Sequence, residues 1–220
     1  MTDANQKQLQ KRLIHWYQTN QRDLPWRRSN NPYHIWVSEV MLQQTQVNTV
    51  LEYYRRFIKT FTSVTRLAQA DEQSVLKLWE GLGYYARARN LHRAAKSVVQ
   101  QHGGKIPDTW DAFYSLPGVG DYIAAAVLSI AFDRPYAVVD GNVKRVLSRL
   151  HKIKNPVNQP SSNSRFAKAA DRLLDERQPG TFNQAVMELG ALVCIPRKPL
   201  CPKCPVRNWC RAYQTNRTAE

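Results

Sequence analysis

All four cysteines of the chain fall in one stretch, Cys194-x6-Cys201-x2-Cys204-x5-Cys210. A loop of that length can present four thiolates tetrahedrally to one metal centre. Disulfide-stapled secreted chains usually spread their cysteines, so metal ligation in a reducing compartment is expected. Thiolate number alone does not separate zinc from an iron-sulfur cluster. A second chemistry is acid-base. Glu39 lies in Trp36-Val37-Ser38-Glu39-Val40-Met41-Leu42, where apolar Val37, Val40 and Leu42 should surround it. A carboxyl in such surroundings has its pKa raised, as a proton donor requires; the plainer alternative is a surface glutamate on an amphipathic helix. Asp140, in Val138-Val139-Asp140-Gly141-Asn142-Val143, stands where it can cap a helix running to Leu150. Leu116-Pro117-Gly118-Val119-Gly120 sets two glycines before an apolar run. Backbone N–H groups at a helix N-terminus can then approach a phosphate closely, without reading sequence. An ordinary helix-helix turn carries the same pattern.

The elements that hold these residues read as helical throughout. Apolar faces at helical spacing recur at Leu91, Ala94, Ala95, Val98; at Val143, Val146, Leu147, Leu150; at Phe166, Ala169, Ala170, Leu173; and at Phe182, Ala185, Val186, Leu189. No alternating strand bounded by turns is evident, so the expected class is all-α, built from about ten short helices. Ile123 to Ala131 is apolar nearly all round and predicts a helix buried at the centre. Turns fall at Asn31-Pro32, Gly103-Gly104 and Pro117-Gly118. Asn155 to Ser164 is the best candidate linker.

With 220 residues, 43% of them apolar, the chain can build one or two real cores. Its formal charge of +15, from 32 Lys and Arg against 17 Asp and Glu, calls for a polyanion, nucleic acid first, although generally cationic proteins share this balance. No run approaches the roughly 20 apolar residues of a bilayer span, and the polar start Met1-Thr2-Asp3-Ala4-Asn5-Gln6 lacks a secretory stretch. A cytoplasmic location is expected, nucleoid-associated in a bacterium.

The glycine hairpin, the apolar helix after it and an aspartate twenty residues beyond the hairpin together resemble the helix-hairpin-helix, Gly/Pro-rich, aspartate signature of base-excision DNA glycosylases. The cysteine spacing is similar to the 4Fe-4S loop of the endonuclease III and MutY glycosylases, which implies a cluster in a structural role, with Arg197 and Lys198 meeting DNA phosphate. Trp36-Val37-Ser38-Glu39-Val40-Met41-Leu42-Gln43-Gln44-Thr45-Gln46-Val47 and Gly81-Leu82-Gly83-Tyr84-Tyr85-Ala86-Arg87-Ala88-Arg89-Asn90 closely resemble motifs of the MutY adenine glycosylases, and the likeness runs along nearly the whole chain. It implies hydrolysis of the N-glycosidic bond of adenine mispaired with guanine or 8-oxoguanine in double-stranded DNA, by a monomer acting in base excision repair. Asp140 would stabilise positive charge at the sugar, and Glu39 would protonate adenine, a poor leaving group until its N7 is protonated. Endonuclease III-like enzymes carry a lysine nucleophile two residues after the second hairpin glycine; this chain has Tyr122 there, so a monofunctional enzyme is expected. Lys144 could give weak adventitious strand cleavage.

By the same resemblance Gln44, beside Gln43, would wedge into the duplex and Tyr84 would intercalate opposite, with Gly118 and Gly120 on the backbone. Arg22, Trp26, Tyr122 and Gln184 match positions lining the adenine pocket, and Asn142 stands beside the aspartate. Core packing, capping or plain surface roles compete at these positions. Two lobes are implied: a six-helix barrel at 30–137 holding the hairpin, and a cluster domain of 1–29 plus 138–220, with DNA in the cleft. MutY enzymes usually add a C-terminal domain that recognises 8-oxoguanine; this chain ends about ten residues after Cys210, so weaker discrimination for that base is expected. The short chain with tyrosine after the hairpin also resembles archaeal thymine/uracil mismatch glycosylases, although basic residues are expected there in place of Gln43 and Gln44. A non-catalytic DNA-damage binding protein is the third reading.

Overall fold

A computed structural model describes residues 2–156 and 159–218. Among them lie twelve α-helices, short 3-10 turns and no strand. In chain order these are α1 (Asp3–Asn20), α2 (Pro32–Leu42), α3 (Val47–Thr60), α4 (Val64–Gln69), α5 (Glu72–Trp79), α6 (Ala86–His102), α7 (Trp110–Tyr114), α8 (Asp121–Phe132), α9 (Gly141–His151), α10 (Asn163–Leu173), α11 (Pro179–Leu192) and α12 (Arg211–Gln214). Three of these, α4, α7 and α12, with six, five and four residues, are too short for a 3.6-residue period to register, which is why about ten were expected. No helix of the described residues is long and apolar enough to cross a membrane.

The chain folds into two compact units, Asp23–Phe132 and Met1–Arg22 with Asp133–Glu220. Side-chain ties account for these boundaries. Arg22 is clamped by Glu188 of α11 through its backbone N–H and its guanidinium. Past α8, Asn183 of α11 receives the N–H of Val138 and donates to the carbonyl of Tyr136. The stretch Asn155 to Ser164 runs from the end of α9 into the start of α10 inside one unit, so it does not link the two units; Val157 and Asn158 lie outside the described residues.

The 23–132 unit is built on two helices that are apolar nearly all round. α8 buries Ile123 through Ser129, and α2, which packs on it, buries Ile35 through Met41. Asn31 caps α2 by accepting from the Tyr33 N–H, and Pro32 opens its first turn. Trp36 meets Phe113 edge-on at 5.3 Å, and Phe57 meets Trp79 at 5.9 Å. Each such buried side chain is worth about 1.5–3 kcal/mol in removed apolar surface. Seven α-helices, α2 to α8, lie in this unit, where the barrel was expected to have six; the five-residue α7, first arm of the hairpin, completes the number.

In the other unit α1, α9, α10 and α11 turn their apolar faces to one core of Leu9, Leu13, Val146, Leu147, Phe166 and Leu189. Cys194, Cys204 and Cys210 pack against its edge, so the cysteine loop is seated on the core.

Candidate active site and cysteine loop

Glu39 is 5% exposed on α2, between buried Val37 and Val40, with Leu42 half-buried. Burial among apolar groups follows from the all-round apolar character of α2, and a carboxyl there needs a donor. Tyr122, on the first turn of α8, supplies one: its hydroxyl donates to Glu39 Oε2 at 2.5 Å. Tyr122 is thus a hydrogen-bond partner of the buried carboxyl. Ahead of α8, Gly118 has φ +76°, and a Cβ there would lie 2.5 Å from Asn90 Cβ, so the hairpin needs glycine on both counts. At Gly120 an added Cβ would meet nothing within 4 Å.

Asp140 caps α9, accepting from the Val143 N–H at 2.7 Å. A chain of contacts continues from its other oxygen. Asn142 Nδ2 donates to Asp140 Oδ2 at 3.0 Å, and Arg145 Nη2 donates to Asn142 Oδ1 at 2.8 Å. Arg145 Nε then donates to the Cys194 carbonyl at 2.7 Å. α11 comes close because it carries Gly190 here: a Cβ would stand 2.7 Å from Asn142 Cβ and 3.1 Å from its carbonyl oxygen. Burial pushes the Asp140 carboxyl above its ordinary value, outweighing the lowering by Val143, Asn142 and Arg145. A cavity of about 1110 Å³ opens beside it, lined by Asp140 with Lys144, Arg145, Lys152, Lys154 and Arg217 among others. Strongly cationic walls of this kind suit an anion.

The four thiols share the loop that follows α11. Arg149, 6% exposed, holds its start by donating to the carbonyls of Ile195 and Pro196 at 2.7 and 2.8 Å and to Cys194 Sγ at 3.4 Å. The Cys210 thiol donates back to the Arg149 carbonyl at 3.5 Å. Burial pushes the Cys204 thiol up to about 12, against a backbone N–H of Val206 that favours the thiolate, and neighbouring Cys194, Cys210 and Cys201 push the same way as burial. Among the described residues no three His, Cys, Asp or Glu side chains form a ready-made metal-holding group. The donor set nevertheless fits one: four thiols within electrostatic reach of each other, N–H donors to sulfur, and a buried arginine on the first of them. Arg197 and Lys198 are exposed on this loop, Lys198 with φ +51°.

The remaining residues fall in three places. Arg22 pairs with Glu188, and one turn earlier on α11 Gln184 accepts from the Tyr17 hydroxyl at 3.0 Å, so the two share a helix face. Trp26 is 5% exposed and meets Tyr54 edge-on at 5.2 Å, a packing role within its unit. Gln44 and Tyr84 are exposed and both have left-handed backbone, φ +56° and +50°; the Gln43 carbonyl accepts from Arg87. Glu188, Arg87, Arg145 and Arg149 were not singled out from the sequence. Glu188 had a signal, being the one acid in the apolar run of α11; Arg87 lay within the quoted Gly81–Asn90 motif, while Arg145 and Arg149 had none in a chain with 32 basic residues.

Residues 37–170 match the family of HhH-GPD superfamily base excision DNA repair proteins. The chain is 47% identical over 211 residues to an adenine DNA glycosylase of Mus musculus and 46% identical to one of Homo sapiens, covering 92% of this chain in each case. It spans 41% and 39% of the lengths of those relatives. Among solved structures, a thermostable thymine-DNA glycosylase superposes with TM-score 0.86 at 29% identity, covering 97% of this chain and 98% of that one. Endonuclease III in a trapped covalent DNA intermediate superposes with TM-score 0.79 at 20% identity over 98% of this chain, a likeness of fold. The hairpin with its left-handed Gly118, the apolar helix behind it and the capping Asp140 all fall within the matched residues, and this chain belongs to the HhH-GPD superfamily of base excision DNA repair proteins.

Proposed function

We propose that the chain hydrolyses the N-glycosidic bond of adenine mispaired with guanine or 8-oxoguanine in duplex DNA, without cutting the strand itself. The observation that carries this reading is the buried Glu39 carboxyl with the Tyr122 hydroxyl on its Oε2. A carboxyl removed from water and held by a neutral donor is suited to deliver a proton, and adenine leaves once N7 takes it. Asp140, with Asn142 and the Val143 N–H fixing its two oxygens, is the stabiliser of the oxocarbenium-like sugar, and water completes the hydrolysis. Without an amine at position 122, no Schiff base forms there. Arg22 and Gln184 are proposed to line the base site, and Gln44 and Tyr84 to offset unstacking as the adenine leaves the duplex.

The four cysteines are proposed to hold a 4Fe-4S cluster that braces the loop carrying Arg197 and Lys198 against DNA phosphate. Purified protein should absorb near about 400 nm, as thiolate-bound iron does; a colourless protein with zinc would overturn the cluster. The likeness to the thermostable thymine-DNA glycosylase favours a second reading, excision of thymine or uracil opposite guanine. Single-turnover excision on duplexes bearing adenine opposite 8-oxoguanine, guanine or cytosine, and thymine or uracil opposite guanine, separates them. Adenine release opposite the two purines is expected, and release confined to the pyrimidine mispairs would replace the first reading by the second.

A further inference from the structure

Two loops of the 23–132 unit carry the residues proposed to enter the duplex, and one side chain binds both. Arg87, on the first turn of α6, sends Nη1 to the carbonyls of Val40, Met41 and Gln43 at 3.0, 2.9 and 2.5 Å, closing the C-terminal end of α2. Those carbonyls have no helical partner beyond Leu42 and would otherwise need water. Nη2 reaches Thr45 Oγ1 at 3.2 Å and the carbonyls of Leu82 and Gly83 at 3.4 and 3.3 Å. The guanidinium carbon lies 5.2 Å from the Tyr84 ring centroid and 5.6 Å from that of Trp79. Between these anchors stand Gln44 and Tyr84, both in left-handed backbone that is strained for a non-glycine residue and persists only where the surroundings over-determine it. Arg87 Nε is buried without a hydrogen-bond partner, a cost borne for the contacts of the other two nitrogens.

We infer that Arg87 is a positioning residue for base extrusion: its guanidinium fixes the Leu42–Gln46 and Leu82–Tyr85 turns so that Gln44 and Tyr84 are presented ready to enter the duplex. It touches neither base nor sugar. A planar, five-donor cation suits this task; a lysine ammonium would satisfy at most three of the six acceptors. The bland alternative is that Arg87 only stabilises the fold, in which case its loss would lower stability and leave extrusion intact in the molecules that remain folded. The inference rests on the proposed adenine excision.

The test uses a duplex in which 2-aminopurine, a fluorescent adenine analogue, stands opposite guanine, so that emission rises as the base unstacks, with single-turnover excision of adenine measured in parallel. Variants are Arg87→Gln, Arg87→Lys, the milder Thr45→Val, and Gln44→Ala with Tyr84→Ala, alone and combined with Arg87→Gln. Folded fractions are matched by circular dichroism at a temperature well below each melting point. For Arg87→Gln the expectation is loss of the emission rise and roughly 100-fold slower excision, with duplex affinity within a few-fold of the parent. Arg87→Lys should recover part of this, and Thr45→Val should lose a smaller part. In the Gln44→Ala, Tyr84→Ala background, Arg87→Gln should add almost nothing. Parent-like extrusion and rate in folded Arg87→Gln, or a full additive loss in that background, would overturn the assignment. If Arg87→Gln does not fold, parent-like extrusion by both Arg87→Lys and Thr45→Val overturns it instead. A parent protein that neither raises emission nor releases adenine sinks the functional reading itself, a different result.

Discussion

Asp140 caps α9 and is proposed to stabilise charge at the sugar, two roles whose demands conflict. As a cap it accepts the Val143 N–H, which favours the ionised form; burial disfavours that form more strongly and sets the direction. The folded state therefore takes up a proton at a higher pH than the unfolded chain. Ionised Asp140 costs stability at neutral pH, and the cost fades as pH falls through its raised value. The proposed stabilisation of the sugar needs the charge, so the acid limb of the single-turnover rate should lie above the ordinary carboxylate value of 3.8. Asparagine caps a helix as well as aspartate does, so Asp140→Asn should keep or raise the melting temperature while slowing excision on the order of 100- to 1000-fold. A rate loss that tracks a loss of folded protein would return Asp140 to capping alone. Tyr122→Phe keeps the packing of α8 and removes the donor to Glu39; a hydrogen bond to a group that charges is worth about 1.5–3 kcal/mol, so excision should fall about 10- to 100-fold. An unchanged rate constant would detach Tyr122 from the chemistry.

At the scale of elements, two close approaches position the site and neither is visible as periodicity. α11 meets α9 at Gly190 beside Asn142, so Gly190→Ala must displace Asn142 or separate the helices. A loss of about 1–3 kcal/mol in denaturant unfolding is expected, with slower excision because Asn142 orients Asp140; unchanged stability and rate would show the approach to be slack. α6 meets α4 through His92, 0% exposed, whose Nε2 lies 3.1 Å from the Ala70 carbonyl while Nδ1 has no hydrogen-bond partner. Burial, then Lys96, depress its pKa against the opposing Ala70, Glu72 and Asp71. The unfolded chain thus binds the proton first: stability is complete above about 6.5 and declines as pH falls below it toward the depressed folded value. Thermal denaturation from pH 7.5 to 5 should show this decline, reduced in His92→Gln; equal pH slopes in the two proteins would contradict it. The long helices were legible because their faces repeat every 3.6 residues, as at Val143, Val146, Leu147 and Leu150. α4, α7 and α12 were not, being shorter than two turns. The burial of Glu39 and the capping by Asp140 were legible from neighbours in sequence. The contacts of Arg87 with Thr45, of Arg145 with Cys194 and of Glu188 with Arg22 span 42 or more residues, so no local pattern marked those pairings.

For the molecule as a whole, the +15 charge fits a DNA partner. Affinity for any duplex should fall steeply with salt, in proportion to the phosphates neutralised. Specificity must come from chemistry; the 23–132 unit holds the buried Glu39 carboxyl, and the other unit holds the half-buried, capping Asp140. The ties of Arg22 to Glu188 and of Asn183 to the 136–138 backbone are long-range hydrogen bonds, which turn chemistry, pointing only to local breaks, does not register. The most direct measurement is single-turnover release of adenine from an adenine–guanine duplex by the parent and by Glu39→Gln, with duplex affinity determined for both. The parent should generate abasic sites; Glu39→Gln should generate essentially none while binding within a few-fold as tightly. Adenine release by Glu39→Gln at the parent's rate would contradict protonation by this residue and the adenine mechanism built on it.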